Sequence, residues 1–432
     1  MCGVNVKKST YTNTTTFLFT SSEKVMFCYY QSWAVYRPTF GAFNVSNIDP
    51  TLCTHYVYSF AGLSIEGLTM SLDPANDLPE NGGMQQYYYF RMMKEEYPCI
   101  KVLLSIGGWN EGSEKYSVMA ETEEGRQRFT DHLLRYLVYY GFDGVDLDWE
   151  YPAKRGGIGV DKDNFVTLLK KIKDRLTTRG KLLSVAVGAA ESLTDDAYDV
   201  KNIAATVDYV LLMSYDYQQE SVTTYMAPMN KVPGDFNSGS VVASVQKWLS
   251  LGCPADKLVL GIQTTGRSYT LKSPNSDPKL NIPGMEASGP GKRGPFTDID
   301  GFFSYYEICD MLFEETGWHV VSNDGVYASS YATKGNQWIA YEDDKTVLVK
   351  SQYAASQNLA GLLVWTLDTD DFRGFCGEYP NVLLRTMNQQ CLGRGGTVFY
   401  FYPLTYKQWR IKGGRSAPGP RSWGAPNASM FP

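Results

Sequence analysis

No apolar run in the 432-residue sequence approaches the ~18 residues that a membrane-spanning helix needs, so no stretch reads as crossing a bilayer. Cysteine pairs are missing too. Cys2, Cys28, Cys53, Cys99, Cys253, Cys309, Cys376 and Cys391 are scattered without a CxxC, which argues against a zinc cluster or a thioredoxin-like motif. Free buried thiols or a few long-range disulfides in an oxidising compartment both fit. There is no excess of positive charge: the net charge of −6 speaks against nucleic acid or an anionic membrane surface as the main partner. No export signal is visible. The opening "MCGVNVKKSTYTNTTTFLFTSSEK" has a Lys-Lys pair but only a Phe-Leu-Phe patch where a signal peptide carries about 7–15 apolar residues. Residues 1–24 therefore read as an N-terminal extension. From Gly393 onward there is no Asp or Glu, while Arg, Lys, Gly and Pro accumulate. Residues 391–432 are predicted to be a disordered basic tail with little to build a core from.

What is present is a globular composition: 43% hydrophobic and 20% charged residues. The 31 Tyr and 9 Trp fit a Tyr-rich core, with some rings free to serve as platforms for flat ligands. Triplets at Asn13, Asn44 and Asn427 match N-glycosylation acceptors and are compatible with secretion.

Eight short runs rich in Val, Ile, Leu and Tyr recur along the chain: "VMFCYYQSW" from Val25, "THYVYSFAG" from Thr54, "KVLLSIGGW" from Lys101, "GVDLDWE" from Gly144, "LLSVAVGAA" from Leu182, "YVLLMSYDY" from Tyr209, "LVLGIQTTGR" from Leu258 and "GLLVWTLDTDD" from Gly361. Amphipathic patterns predict helices between most of them, at 123–140, 163–180, 240–252 and 345–358. Eight buried strands alternating with helices predict an α/β fold, a closed (β/α)8 TIM barrel, over 25–390. Nearly a hundred residues separate the seventh and eighth strands. The Gly/Pro-rich stretch there and the hairpin pattern "GVYASSYATKGNQWIAYED" predict a small α+β insertion at 268–340.

The chemistry concentrates in "FDGVDLDWEYP", residues 142–152, which holds Asp143, Asp146, Asp148 and Glu150 in an apolar run. In a strand alternate residues share a face. Asp146, Asp148 and Glu150 then point into the barrel while Val145, Leu147 and Trp149 pack outward. The acidic face ends at the C-terminal edge, where barrel enzymes keep their chemistry. Stacked carboxylates cannot all ionise cheaply, so one of them holds its proton near neutral pH. Glu150, the outermost, is best placed to meet a substrate as an acid. A calcium loop would place Gly within the turn and lack the alternating apolar residues. No phosphate-binding glycine loop accompanies the acids either, so no metal and no cofactor is expected.

"DGVDLDWE" resembles the DxxDxDxE signature of family 18 glycoside hydrolases, the chitinases and their lectin-like relatives. "KVLLSIGGW" (101–109), "MSYD" (213–216), "GRSYTL" (266–271) and "GLLVWTLDTDDF" (361–372) agree with it, and the resemblance runs from about Val25 to Met387. It implies hydrolysis of β-1,4-linked N-acetylglucosamine polymers by a retaining, substrate-assisted mechanism. Asp143, Asp146, Asp148, Glu150 and Tyr215 are the catalytic set so implied. Glu150 would protonate the leaving oxygen, Asp148 would stabilise the charge developing on the substrate's acetamido group, Asp146 would share a proton with Asp148, and Tyr215 would hold the acetamido group. Tyr29, Phe60, Trp109, Tyr151, Met213, Asp216, Arg267 and Trp365 are the implied substrate-binding residues. Trp365 would be the floor under the reacting ring. The resemblance also implies the disulfides Cys28–Cys53 and Cys309–Cys376, a secreted monomer, and chitin or chito-oligosaccharides as partner, with no nucleic acid and no membrane.

The chain departs from the family pattern in two places. Gln218 and Gln219 replace His-Gly after MxYD, with Ser221 where a stacking Trp is usual, and Thr265 stands where a Tyr precedes Gly-Arg. An endo-acting chitinase, slowed or altered in its products, is the leading expectation. A non-catalytic chitinase-like lectin or growth-factor-type protein is the alternative, disfavoured because the terminal Glu is present.

Overall fold

A computed structural model describes residues 24–217, 221–232, 239–322, 325–377 and 379–391. The extension expected before residue 24 and almost all of the expected tail lie outside these residues, as do Gln218 and Gln219. Each of the eight apolar runs forms a barrel strand: Val25–Gln31, His55–Leu63, Lys101–Gly107, Gly144–Asp148, Leu182–Gly188, Tyr209–Met213, Leu258–Gln263 and Gly361–Trp365. All neighbours in this set pair in parallel, and the first strand pairs with both the second and the eighth, which closes the barrel. A short strand, Thr69–Ser71, adds an antiparallel hairpin to the end of the second.

Alternation along the strands sorts the side chains. Phe27, Tyr29, Val57, Leu103, Leu211, Val259 and Leu363 fill the barrel interior, while the intervening residues pack under the helices in a second, larger core. The helix predicted over 123–140 spans Glu123–Tyr140. Thr122 caps its start by accepting from the Gly125 amide, and Gly141 ends it with φ 81°, a left-handed conformation that glycine adopts at no steric cost. The helix predicted over 163–180 starts earlier, at Asp161, and ends at Thr177. The other two predicted helices are Val241–Ser250 and Asp344–Ser356. Among the described residues no helix is long and apolar enough to cross a membrane.

Between the seventh and eighth barrel strands lies a six-stranded, mainly antiparallel sheet: Thr265–Leu271, Ala287–Pro290, Phe302–Ser304, His319–Val321, Ser330–Lys334 and Gln337–Tyr341, with the helix Tyr305–Glu314. Its first strand begins at Thr265, three residues before the expected boundary, because the chain leaves the barrel directly after Gln263. Two disulfides form. Cys28–Cys53 ties the first barrel strand to the approach of the second, and Cys309–Cys376 ties the insertion's helix to the loop after the eighth.

The insertion is also anchored by a buried ion pair. Glu342, just past its last strand, meets Lys350 of the following helix at 2.5 Å, each side chain 1% exposed. Lys350 donates to the Ala328 carbonyl as well. Burial pushes the Glu342 carboxyl up and the Lys350 ammonium down, and their mutual attraction opposes both shifts. Removing one partner of such a pair strands a charge in a dry site. A Lys350→Met variant is expected to lose about 3–5 kcal/mol of stability, read from urea unfolding. The double variant Glu342→Leu/Lys350→Met is expected to recover most of that loss.

Candidate active site

The acidic face of the fourth strand looks into the mouth of the barrel because its other face is claimed by the core. Val145, Leu147 and Trp149 are buried under the helices, and the Trp149 indole donates to Ser113 Oγ at 3.0 Å. Asp146 is fully buried and accepts from three hydroxyls of three other strands: Tyr29 at 2.7 Å, Ser105 at 2.8 Å and Ser184 at 2.7 Å. Burial raises its pKa and the three donors pull it back. These hydroxyls are the partners of Asp146 among the described residues.

Asp148 is the strained member. Its Oδ1 is buried with no hydrogen-bond partner among the described residues. Burial, then the Glu150 and Asp146 charges, hold it well above the usual carboxylate range. Burial and the two neighbouring charges thus favour its protonated form. Glu150 sits above it, and its pKa is pushed up to about 7. Burial is the main cause; the Tyr151 hydrogen bond and the Arg155 charge pull down, and Asp216 pushes up. A carboxyl that is half protonated near neutrality can donate a proton and take one back.

Other barrel strands and the loops that follow them bring most of the other expected residues to the same end of the barrel, while Arg267 stands on the first strand of the insertion. Tyr215 is buried with its ring over Gly261, where a Cβ would lie 2.8 Å from the ring edge. The charges of Asp148, Asp216 and Glu150 all act on its hydroxyl. Trp365 ends the eighth strand, with Tyr29 at 5.4 Å and Phe60 at 5.8 Å between ring centroids, the latter pair nearly parallel. Trp109 is 58% exposed and lies 6.5 Å from Tyr151. The Arg155 guanidinium covers its ring at 3.5 Å and also donates to the carbonyls of Trp109 and Glu150. Met213 and Arg267 are partly buried, and Arg267 keeps a buried Nε without a hydrogen-bond partner. Asp216 is exposed with φ 57°. Non-proline cis peptides stand at Ser59–Phe60, Glu150–Tyr151 and Trp365–Thr366.

Trp365 is fixed from behind. The Thr264 amide donates to its carbonyl at 2.8 Å, and the Thr264 hydroxyl reaches the Thr366 carbonyl and the Thr369 hydroxyl. The loop that follows is pinned by Arg37, which pairs with Asp368 at 2.7 Å.

Two differences from the sequence reading stand out. Asp143 is not with the other acids. It precedes the strand at the opposite end, where its carboxylate pairs with Lys94 at 2.5 Å and accepts from the Val102 amide at 2.9 Å. It pins the foot of the strand and cannot reach the reacting groups. Trp33, conversely, was not among the expected residues. It stacks on Phe60 at 6.0 Å, 41% exposed, and extends the aromatic row from Trp365 outward. Its position at the very end of the first apolar run was the signal available.

The chain matches the model described as "Glycosyl hydrolases family 18" over residues 25–370. It is 40% identical over 365 residues to "Probable chitinase 2" of Drosophila melanogaster, covering 82% of this chain and 74% of that protein. It is 36% identical over 376 residues to "Chitotriosidase-1" of Mus musculus, covering 84% and 77%. Among solved structures, the Ostrinia furnacalis Group IV chitinase in complex with allosamidin superposes with a TM-score of 0.81 at 39% identity, covering 87% of this chain and all of that one.

The electrostatics of Glu150 can be tested without a substrate. Loss of the Arg155 charge is expected to raise the Glu150 pKa above about 7, and loss of the Asp216 charge to lower it. Carbon-13 NMR titration of the Glu side chains in Arg155→Gln and Asp216→Asn should show the two shifts with opposite sign. The acid column also sets a stability balance. A carboxyl whose folded-state pKa is raised binds more protons folded than unfolded, so stability falls as pH rises between the two pKa values. Asp148→Asn removes that loss, and its thermal midpoint is expected to exceed the parent's at pH 7 and to converge with it toward pH 4.

Proposed function

The chain belongs to glycosyl hydrolase family 18, and we infer that it is a chitinase, cleaving β-1,4-linked N-acetylglucosamine polymers with Glu150 as general acid. The observation that carries this reading is the buried column of Asp146, Asp148 and Glu150, graded so that the outermost carboxyl titrates near pH 7. A sugar seated over Trp365 lies against the same mouth that Glu150, Asp148 and Tyr215 line. Glu150 gives its proton to the glycosidic oxygen as the bond to the anomeric carbon breaks. The carbonyl oxygen of the substrate's own 2-acetamido group bonds to that carbon from the opposite face, giving an oxazolinium-type intermediate. Asp148 Oδ1, without a protein partner, accepts from the acetamido N–H, and the Tyr215 hydroxyl holds the acetamido oxygen. Water then adds to the anomeric carbon as its bond to the acetamido oxygen breaks, one water proton passes to Glu150, and the two displacements retain the configuration.

Asp146 does not touch substrate in this scheme. Its three hydroxyl donors keep it in place beneath Asp148, and its charge helps hold the Asp148 proton. The row Trp33, Phe60 and Trp365 would carry sugars on one side of the scissile bond, and Trp109 with Tyr151 those on the other. Gln218, Gln219 and Ser221, where the family pattern has His-Gly and a Trp, bear on product preference more than on the acid. The two disulfides support an oxidising, extracellular setting.

Release of chromophore from a chromogenic chitotriose tests the reading. Glu150→Gln is expected to lose at least ~10²-fold in kcat while still binding chito-oligosaccharide. A parent that binds the oligomer and releases no chromophore would make the chain a lectin instead.

A further inference from the structure

Gln263 is the last residue of the seventh barrel strand and is 1% exposed. It shares the inward face with Val259, which lies in the barrel interior, and with Gly261, on which the Tyr215 ring rests. Its register partner on the eighth strand is Trp365, whose own neighbour across the barrel closure is Tyr29. Register thus places Gln263 on the inward face of the barrel, one position beyond the Tyr215 contact and beside Trp365. Its amide Nε2 is buried and has no hydrogen-bond partner among the described residues, while its Oε1 is held by the Thr265 hydroxyl at 3.3 Å.

A buried amide donor left unpaired costs stability, and a fold keeps one for a reason outside its own packing. Thr265 occupies the position where the family pattern has a tyrosine, so no phenol stands at this position. The short Thr265 side chain is itself buried and turns back on Gln263.

We propose that the Gln263 amide is a substrate-binding donor of this chain, which hydrogen-bonds an oxygen, hydroxyl or acetamido carbonyl, of the hexosamine seated on Trp365, and that Thr265 is its positioning residue. The inference rests on the chitinase reading above. A ligand oxygen satisfies the amide only when bound, so recognition is coupled to removal of a defect carried by the free protein. Unlike a phenol, the amide is a donor that does not ionise at any working pH.

The test compares the parent, Gln263→Met and Thr265→Val, each also in a Glu150→Gln background, by three readouts: kcat/KM on chromogenic chitotriose, Kd for chitotetraose by calorimetry, and thermal midpoint. Methionine keeps the length of the side chain and removes the donor. Binding and kcat/KM are expected to weaken about three- to tenfold in Gln263→Met, with a midpoint equal to or above the parent's. Thr265→Val is expected to show a smaller loss of binding. Parent-like binding in Gln263→Met overturns the inference, whatever its midpoint. Where Gln263→Met also lowers the midpoint, Thr265→Val decides: an intermediate loss of binding supports the inference, and parent-like binding overturns it. A parent that neither cleaves nor binds chito-oligosaccharides sinks the chitinase reading itself, a result separable from an active parent with an indifferent Gln263.

Discussion

The structure depends on how it makes three stacked carboxyls tolerable inside a barrel. Isolated burial of ionised acids is prohibitive, and proteins escape it by pairing, hydrogen bonding or protonation. Here the solution changes with depth. Asp146, deepest, is solvated by hydroxyls from three strands. Asp148, in the middle, has an oxygen with no donor among the described residues, and its surroundings favour the protonated form. Glu150, at the rim, is balanced by Arg155 against Asp216. The gradient yields one acid poised to exchange a proton and one oxygen reserved for a ligand. Much of the rest of the barrel mouth can be understood as scaffolding for it.

That scaffolding is layered. Gly261 leaves room for the Tyr215 ring, and the threonines at 264, 366 and 369 hold the peptide of Trp365 from behind. Arg37 and Asp368 pin the loop beyond. The insertion meets the same loop, since the Tyr305 amide at the head of its helix donates to the carbonyls of Thr264 and Thr369. Cys309–Cys376 fastens that helix covalently nearby. The seating of the insertion and the placement of the aromatic floor are therefore one mechanical problem.

Much of this was legible in the sequence because strand alternation and hydrophobic runs are local signals. The eight strands lie where the Val/Ile/Leu/Tyr runs predict them, and the inward face of Asp146, Asp148 and Glu150 follows from period-two geometry alone. What spacing could not tell is where the strand begins. Asp143 precedes Gly144, and its fate was decided by Lys94 and the Val102 amide, residues remote in sequence. The donors to Asp146 come from 38 to 117 residues away, so the calming of the deepest acid has no local trace. Trp33 escaped notice because a tryptophan closing an apolar run reads as strand, whereas the chain has already turned into a short 3-10 helix there. The free donor on Gln263 is likewise a tertiary fact: a glutamine at a strand end says nothing of what its amide lacks.

Closure of the barrel carries a consequence of another kind. The strand bearing Trp365 is the last of the eight, and it completes the ring by pairing with the first, in which Val25 faces Gly361. Lys24 meets Leu359, 335 positions further along the chain, at the same seam. Contacts so distant along the chain form late and slowly, and a ribosome must deliver nearly the whole barrel before they can form at all. The aromatic floor and the acids on the fourth strand thus meet only once the eighth strand has been made. A nascent chain that stops short of the eighth strand carries the acids of the site without Trp365, so the floor of the site arrives with the closing of the ring.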